Sequence, residues 1–166
     1  MQTCFGRTAL SDFRFDKLKT RLISVDSRVH LKSARYLHFF NLVEPLNQDE
    51  KLVLDQLLTY GPSNEESVNE DSNDFATHFF VVPRPGTVSP WSSKATDICK
   101  NCGIDKIKRL ERGIFYRLDI PVDLSESSFT KILACLHDRM TESVFTGLDE
   151  IDGLFSSTSP KQLTQI

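Results

Sequence analysis

The chain has 166 residues, of which 39% are hydrophobic, and this is enough to bury the core of one domain. Its formal net charge of −3 combines basic segments at 1–43 and 84–112 with an acidic segment at 44–74, so charge alone does not argue for nucleic acid. The sequence shows no signal peptide and no run of ~18 apolar residues, so we expect a cytoplasmic protein that contacts no membrane.

The first two helices are predicted from their caps and from apolar periodicity. Ser11 stands at the start of the first helix, and Asn47 and Glu50 have the spacing of a capping box at the start of the second. Gly61-Pro62 is expected to end the second helix. The predicted buried face of the first helix consists of Phe15, Leu18 and Leu22.

The third helix is predicted to begin at Ser89-Pro90, which supplies a capping hydroxyl and a proline at the first helical position, and to end at Gly103. Ser125 is expected to cap the fourth helix. The apolar stripe of the third helix consists of Trp91, Ala95, Ile98, Cys99 and Cys102. The predicted buried face of the fourth consists of Ile132, Leu133, Leu136, Met140 and Val144.

Aromatic and β-branched residues predict strands at 35–43, 75–82 and 113–120. Weaker strand signals occupy 2–5, part of 25–31, and 104–110. The acidic segment 63–74 has almost no apolar residues and predicts a mobile loop. Gly147, Gly153 and the sequence SSTSP predict that a domain at 1–146 is followed by an exposed tail at 147–166.

A shift of 78 residues places Tyr36–Phe40 over Ile114–Leu118 and Leu46-Asn47 over Leu124-Ser125. Each segment is a strand that leads into a capped helix, and each half has an earlier strand and helix in front of it. The sequence therefore predicts an α+β fold of two duplicated strand-helix-strand-strand-helix halves, with a mostly antiparallel sheet and helices packed on one face.

The four cysteines are expected to be free thiols in a reducing compartment. Cys99 and Cys102 have the C-x-x-C spacing of redox and zinc sites. However, this pair closes a helix, where the dipole disfavours a thiolate, and Cys4 and Cys135 are isolated in sequence. The pattern favours buried thiols, and no metal site is predicted.

No arrangement of catalytic residues is evident. Ser89, Ser92 and Ser93 lack the G-x-S-x-G frame of a nucleophile, and no motif places a histidine beside them. We expect His38 and His78 to face solvent or a neighbouring domain. A sheet face can bind RNA by stacking, but the RNP1-type pattern is absent, so the aromatic residues are predicted to form a core beneath the helices. They are Phe39, Phe79 and Phe115.

The segment 84–98, RPGTVSPWSSKATDI, leaves two interpretations open. The Ser89-Pro90 helix start presents unpaired N–H groups with Arg84 and Lys94 nearby, an arrangement suited to a phosphate or to a carboxylate of another domain. The alternative is a well-capped helix on a rigid proline turn.

The segment RPGTVSPWSSKATDICKNCGI, followed by IKRLERGIFY, resembles the amino-terminal domain of the large single-chain phosphoribosylformylglycinamidine synthase of purine biosynthesis. The stretches ALSDFRFDKL, YLHFFNL, LLTYGP and LHDRMTESVF agree with it in the same order, so the resemblance spans nearly the whole chain. The sequence departs from the family at Cys99-Lys100 and at Val88, which leaves the centre of the motif intact.

The resemblance implies a domain built like two copies of the small PurS-type subunit. It also implies a longer parent enzyme, in which synthetase halves bind ATP, magnesium and formylglycinamide ribonucleotide and a glutaminase supplies ammonia. The present segment would hold no cofactor and no catalytic residue. It would dock the synthetase and glutaminase domains and help to shape the ammonia path, and it would bind no nucleic acid.

The residues that the resemblance assigns to docking lie in the 84–98 segment and in the strand that follows. They are Arg84, Pro85, Gly86, Thr87, Ser89, Pro90, Trp91, Ser92, Ser93, Lys94, Thr96, Asp97, Arg109, Glu111 and Arg112. Self-association of the isolated chain stays open. The alternative functions are an autonomous module that binds RNA or an anionic ligand, and a small independent enzyme.

Overall fold

The computed structural model describes residues 1–60 and 76–156. Within these residues the sheet lies between four α-helices on one side and a 3-10 helix on the other. None of the described helices has the length and apolarity needed to cross a bilayer. In chain order the elements are β1 (Gln2–Thr8), α1 (Asp12–Val25), β2 (His30–Leu42), α2 (Gln48–Leu58), β3 (Thr77–Pro83), α3 (Pro90–Asn101), β4 (Ile107–Asp119), α4 (Glu126–Leu136), β5 (Glu142–Phe145) and the 3-10 helix Leu148–Phe155.

The sheet has the strand order β1-β2-β4-β3-β5, and all of its pairs are antiparallel. The two longest strands, β2 and β4, have 13 residues each and form its centre. This arrangement confirms the predicted α+β class and the antiparallel sheet.

The two halves of the fold repeat with the shift of 78 residues. The shift carries α2 onto α4 end to end and the first residue of α1 onto that of α3. Tyr36 of β2 pairs with Ile114 of β4, and these two residues also differ by 78. An approximate twofold axis therefore passes through this pair and relates β1 to β3.

Each half is strand-helix-strand-helix, one strand fewer than predicted. The segment 25–31 was expected to hold a strand of its own, but α1 extends to Val25 and β2 runs unbroken from His30 to Leu42. Likewise 104–110 joins 113–120 in the single strand β4. Each predicted strand pair is thus one long strand, because the central strands pair with each other along almost their whole length.

The helix starts follow the predicted capping chemistry. Glu50 N–H donates to Asn47 Oδ1 at 2.8 Å and Asn47 N–H donates to Glu50 Oε2 at 2.7 Å, which is a complete capping box. Ser89 and Ser125 cap α3 and α4 with their hydroxyls, whereas the Ser11 side chain makes no such bond. The predicted helix end at Gly61-Pro62 and the predicted loop at 63–74 lie outside the described residues.

All four α-helices pack on one face of the sheet, as predicted. Alternate residues of β2 and β4 point toward this face, among them Ala34, Phe40, Leu110 and Tyr116. One cluster joins α1 and α4 to the sheet through Leu18, Leu22, Ile132 and Leu136. The other joins α2 and α3 through Leu54, Leu58 and Cys99.

The opposite face of the sheet is covered by the 3-10 helix. Its Ile151 and Leu154 are fully buried against four sheet residues. The sheet residues are Leu37, Phe39, Phe80 and Val82. The prediction of an exposed tail from 147 is therefore wrong for 148–155. The glycines at 147 and 153 favoured a tail, but the segment forms an apolar helical turn. Residues 157–166 lie outside the description.

This second layer also corrects the assignment of the aromatic residues. Phe79 lies in the cluster beneath α1 and α4, as predicted. Phe39 is buried on the opposite face under the 3-10 helix, and Phe115 packs against the same cluster. Side chains alternate between the two faces along each strand, and residues paired across neighbouring strands share a face. Phe79 pairs with the helix-side residue Tyr116, whereas Phe115 pairs with Phe80 on the opposite face.

Two helix faces differ from the prediction. α4 ends at Leu136, so Met140 is 78% exposed and Val144 lies in β5. A turn follows the helix, in which the Asp138 carboxylate accepts from Met140 N–H and the Glu142 carboxylate accepts from Asp138 N–H. In α3 the inward residues are Ser92, Thr96 and Cys99. Ile98 and Cys102, which were predicted on the buried stripe, are exposed.

We expect Leu154→Ala to lower the free energy of unfolding by ~2–5 kcal/mol, because it removes a fully buried side chain from the layer beneath the sheet. Leu148→Ala in the same helix is the matched control, since Leu148 is 40% exposed. Urea denaturation of the 166-residue chain measures both. Equal, small effects of the two changes would show that the 3-10 helix is not part of the folded domain.

Candidate functional site

The loop before α3 is a tight turn. Gly86 has φ of 82°, and Thr87 N–H and Thr87 Oγ1 both donate to the Arg84 carbonyl, at 3.0 and 2.6 Å. Because positive φ strains other residues, a glycine is required at this position. Arg84 N–H donates to the Thr141 carbonyl at 3.0 Å, which attaches the turn to the chain before β5.

The start of α3 holds a carboxylate of the same domain. Ser89 Oγ accepts from Ser92 N–H at 3.0 Å and donates to Glu111 Oε1 at 2.6 Å. Ser89 N–H points to Glu111 Oε2 at 3.4 Å, and Glu111 is fully buried. The sequence left open an external anion or a plain capped helix. The structure shows a capped helix whose adjacent anionic position is taken by Glu111.

Arg109 forms a buried ion pair with Glu111. Arg109 Nη2 lies 2.8 Å from Glu111 Oε2 and also donates to the Thr87 carbonyl at 2.6 Å. The Arg109 guanidinium also lies over the Phe155 ring, with Cζ 5.3 Å from its centroid. A buried pair of this kind is stable only when its other hydrogen-bonding groups are satisfied. The pair thus ties together the turn, β4 and the 3-10 helix.

Two hydroxyls of α3 bind the backbone of β4. Ser92 Oγ donates to the Leu110 carbonyl at 2.6 Å, and Leu110 N–H donates to Thr96 Oγ1 at 3.0 Å. Both hydroxyl residues are buried, so the polar side of α3 faces the sheet. This explains why the apolar stripe predicted for α3 is rotated.

A cluster of aromatic residues surrounds Arg112. Its Cζ lies 4.3 Å from the centroid of the Tyr36 ring and 4.7 Å from that of Trp91, distances typical of cation–π contacts. Arg112 Nη1 also donates to the Tyr60 hydroxyl at 3.1 Å. His38 Nε2 lies 2.8 Å from the same hydroxyl. The cluster connects β2, β4 and the chain just after α2.

His38 is buried beside this cluster, whereas it was expected to face solvent or another domain. Burial lowers the pKa of His38 to about 4, and the nearby positive charge of Arg112 acts in the same direction. A backbone hydrogen bond with Cys4 only partly opposes them. Among the described residues Nδ1 has no partner of good hydrogen-bond geometry. His78 is exposed, as predicted.

The two thiols of the C-x-x-C spacing have different environments. Cys99 is buried, and burial raises the pKa of its thiol, which disfavours the reactive thiolate. Cys102 is exposed at the end of α3. Within 1–60 and 76–156, no three metal-binding side chains come together to hold an ion.

The docking residues expected from the sequence fall into three groups. The exposed ones are Arg84, Pro85, Thr87, Pro90, Ser93, Lys94 and Asp97. The half-buried ones are Gly86, Ser89, Trp91, Arg109 and Arg112. The buried ones are Ser92, Thr96 and Glu111, which hold the site together from inside.

Sequence reasoning missed Tyr36, His38 and Tyr60 as neighbours of Trp91 and Arg112. Tyr36 and His38 alternate along β2 and therefore share its helix-side face, a signal that was available. Tyr60 could not be placed in this way because it follows the last residue of α2 and only the tertiary fold brings it to Arg112.

We expect Glu111→Ala to destabilise the domain by ~3–5 kcal/mol, because it leaves the Arg109 guanidinium, whose side chain is only 15% exposed, without its charged partner. Glu126→Ala, at an exposed position in the first turn of α4, is the control and should change stability by less than ~1 kcal/mol. Urea unfolding of both variants checks this. Similar values for the two would mean that the Arg109–Glu111 pair does not hold the site.

The depressed pKa of His38 predicts a specific acid sensitivity. His38 binds a proton near pH 6.5 in the unfolded chain but only near pH 4 in the folded chain. The free energy of unfolding therefore falls as the pH decreases through this window. Between pH 7.5 and 5 the His38 contribution to this fall is about 2 kcal/mol. In His38→Gln, which has no titrating ring, the fall should be smaller by that amount. Equal pH dependence of the two chains in urea unfolding would contradict the prediction.

Residues 35–155 match the protein family described as "Formylglycinamide ribonucleotide amidotransferase N-terminal". The match covers well over half of the chain, runs from β2 to the end of the 3-10 helix and includes the whole site around α3. It confirms the resemblance drawn from the sequence motifs. The chain therefore belongs to the family of amino-terminal domains of formylglycinamide ribonucleotide amidotransferase, and its role lies in purine biosynthesis.

Proposed function

We propose that the domain is a non-catalytic docking unit of the amidotransferase, which holds the synthetase and glutaminase domains together and helps to shape the ammonia path. The observation that carries the proposal is the network of Ser89, Arg109 and Glu111, which is centred on the fully buried Glu111 carboxylate. This network fixes the turn and the helix start that carry the exposed polar side chains. Its own residues are not required to contact a partner.

Rigidity supports a docking role. A surface that is already ordered before binding loses less conformational entropy in the complex. The turn at Arg84 and Thr87 is closed by its own hydrogen bonds, and α3 is attached to β4 by two hydroxyls. Ser93, Lys94 and Asp97 project from this fixed helix toward solvent.

The site chemistry supports a role without bond-making. His38 is buried and bound to the Tyr60 hydroxyl, and Cys99 is buried with a raised thiol pKa. Neither side chain is therefore suited to act as a base or a nucleophile on a substrate. In this proposal ATP, magnesium and glutamine are used by the other domains of the parent enzyme, and this domain binds no nucleic acid.

An autonomous anion-binding module is less well supported. The position beside the helix start is taken by Glu111, and a second anion there would meet like charge. An RNA-binding module would place aromatic rings on an open sheet face. Phe39 and Phe80 instead lie under the 3-10 helix.

A reconstitution tests the docking role. The 166-residue chain is produced separately from the remainder of the parent enzyme, and glutamine-dependent and ammonia-dependent synthesis are measured with and without it. We expect the chain to restore the glutamine-dependent reaction and to affect the ammonia-dependent reaction little. Full glutamine-dependent activity of the remainder alone would refute the proposal.

Surface variants locate the dock. We expect Arg84→Ala to weaken restoration by about tenfold, because exposed arginines at interfaces often dominate binding. Arg14→Ala, on the exposed side of α1, is the matched control and should restore activity like the native chain. Titrating each chain into the remainder measures the concentration needed for half restoration. Identical titrations of both variants would place the dock elsewhere on the domain.

A further inference from the structure

An apolar groove of about 300 Å³ separates α2 from α3. Its floor contains Leu58, Cys99 and Leu110, and Trp91 and Tyr60 form aromatic walls. Ile98 lines it and is 50% exposed. Pockets for small ligands span ~300–1,000 Å³, so this groove accommodates apolar side chains but is small for a nucleotide.

The approximate twofold axis shows what closes the corresponding position in the other half. The axis relates the pair α2 and α3 to the pair α4 and α1. In the second pair, α1 and α4 pack directly against each other. On α4, Phe129 and Leu133 pack into the core cluster beneath that pair. Their equivalents on α2 are the exposed Lys51 and Asp55. At these two positions α2 thus lacks the apolar side chains that α4 packs against the core.

Two cations stand beside the groove, and within 1–60 and 76–156 neither has a carboxylate partner. Lys94 lines it, and Arg112 lies 4.7 Å from the Trp91 ring that forms one wall. Neither forms an ion pair with a described residue. Among the described residues Arg112 is held by aromatic rings and by the Tyr60 hydroxyl, and these neutral groups do not balance its positive charge. A complementary occupant therefore carries negative charge as well as apolar surface.

We infer that the groove between α2 and α3 receives a segment of another domain of the enzyme, which inserts an apolar side chain beside Ile98 and places a carboxylate against Lys94 and Arg112. The inference rests on the proposed docking function and specifies the chemistry of the partner. The aromatic walls and the apolar floor would supply affinity, and the two cations would fix the orientation of the segment.

Photo-cross-linking in the complete enzyme tests the inference. p-Benzoylphenylalanine is introduced in place of Ile98, and in a separate enzyme in place of Leu52, which is 57% exposed on α2 and does not line the groove. We expect the yield at position 98 to exceed that at 52 by at least about tenfold, because a buried contact holds the probe against one partner. The cross-linked peptide should carry an Asp or Glu beside an apolar residue and come from another domain.

A charge reversal supplies the second measurement. Lys94→Glu should lower the yield at position 98 by about tenfold, because it places like charge against the inferred carboxylate. Lys17→Glu, on the exposed side of α1, is the matched control and should leave the yield unchanged. Loss of yield in both variants, or in neither, would overturn the charge assignment.

A third probe position separates this inference from the proposed function. p-Benzoylphenylalanine in place of Thr87 reports on the turn before α3, because Thr87 is exposed and is not among the residues that line the groove. Cross-links from 87 but none from 98 would leave the docking role standing and overturn the groove. Cross-links from 98 to a second copy of this domain would also overturn it. The absence of interdomain cross-links from both positions would count against docking itself.

Discussion

The ion pair between Arg109 and Glu111 is the interaction on which the arrangement of the turn, the start of α3 and β4 depends. A buried pair costs more in desolvation than it returns unless its remaining donors and acceptors are satisfied. Here Ser89 and the backbone N–H of Arg112 donate to the carboxylate, while the guanidinium reaches the Thr87 carbonyl. Those partners belong to separate elements, so satisfying one charge pair brings a turn, a helix start and a strand into one arrangement.

The same polar attachment creates the apolar groove. α3 turns its hydroxyls toward β4, where Ser92 and Thr96 satisfy the backbone of Leu110. Because α3 presents polar residues to the sheet, part of its apolar side points away from the sheet. Ile98 is accordingly exposed at the groove. The hydrogen bonds to β4 and the exposure of Ile98 are thus two consequences of one rotation of the helix about its axis.

Local chemistry made most of the fold predictable from the sequence. Capping residues such as Asn47 and Ser125 act within a few positions, so they mark helix starts without knowledge of the tertiary structure. The duplication was also visible, because matching strands lead into matching caps. The ends of elements were less predictable, because the lengths of β2 and β4 depend on the pairing between these two strands and not only on the local sequence of each.

The site was predictable as a segment but not as a set of roles. Sequence placed Glu111 among docking residues, whereas tertiary contacts bury it under Ser89. The 3-10 helix was not predicted because Gly147 precedes it and Gly153 interrupts its apolar pattern, and only the folded sheet shows what Ile151 and Leu154 cover. Burial of His38 depends on Tyr60 and Trp91, which lie far along the chain and meet it only in the folded state.

The approximate twofold axis through Tyr36 and Ile114 also bears on how such a groove can arise. In a dimer of identical chains every substitution appears twice, so the pair would have two grooves or none. Joining two copies in one chain removes that restriction. One half can keep Phe129 and Leu133 packed against its core, while the other carries the exposed Lys51 and Asp55 at the equivalent positions. Covalent duplication thus permits a single, directional contact that a symmetric assembly of one short chain could not have.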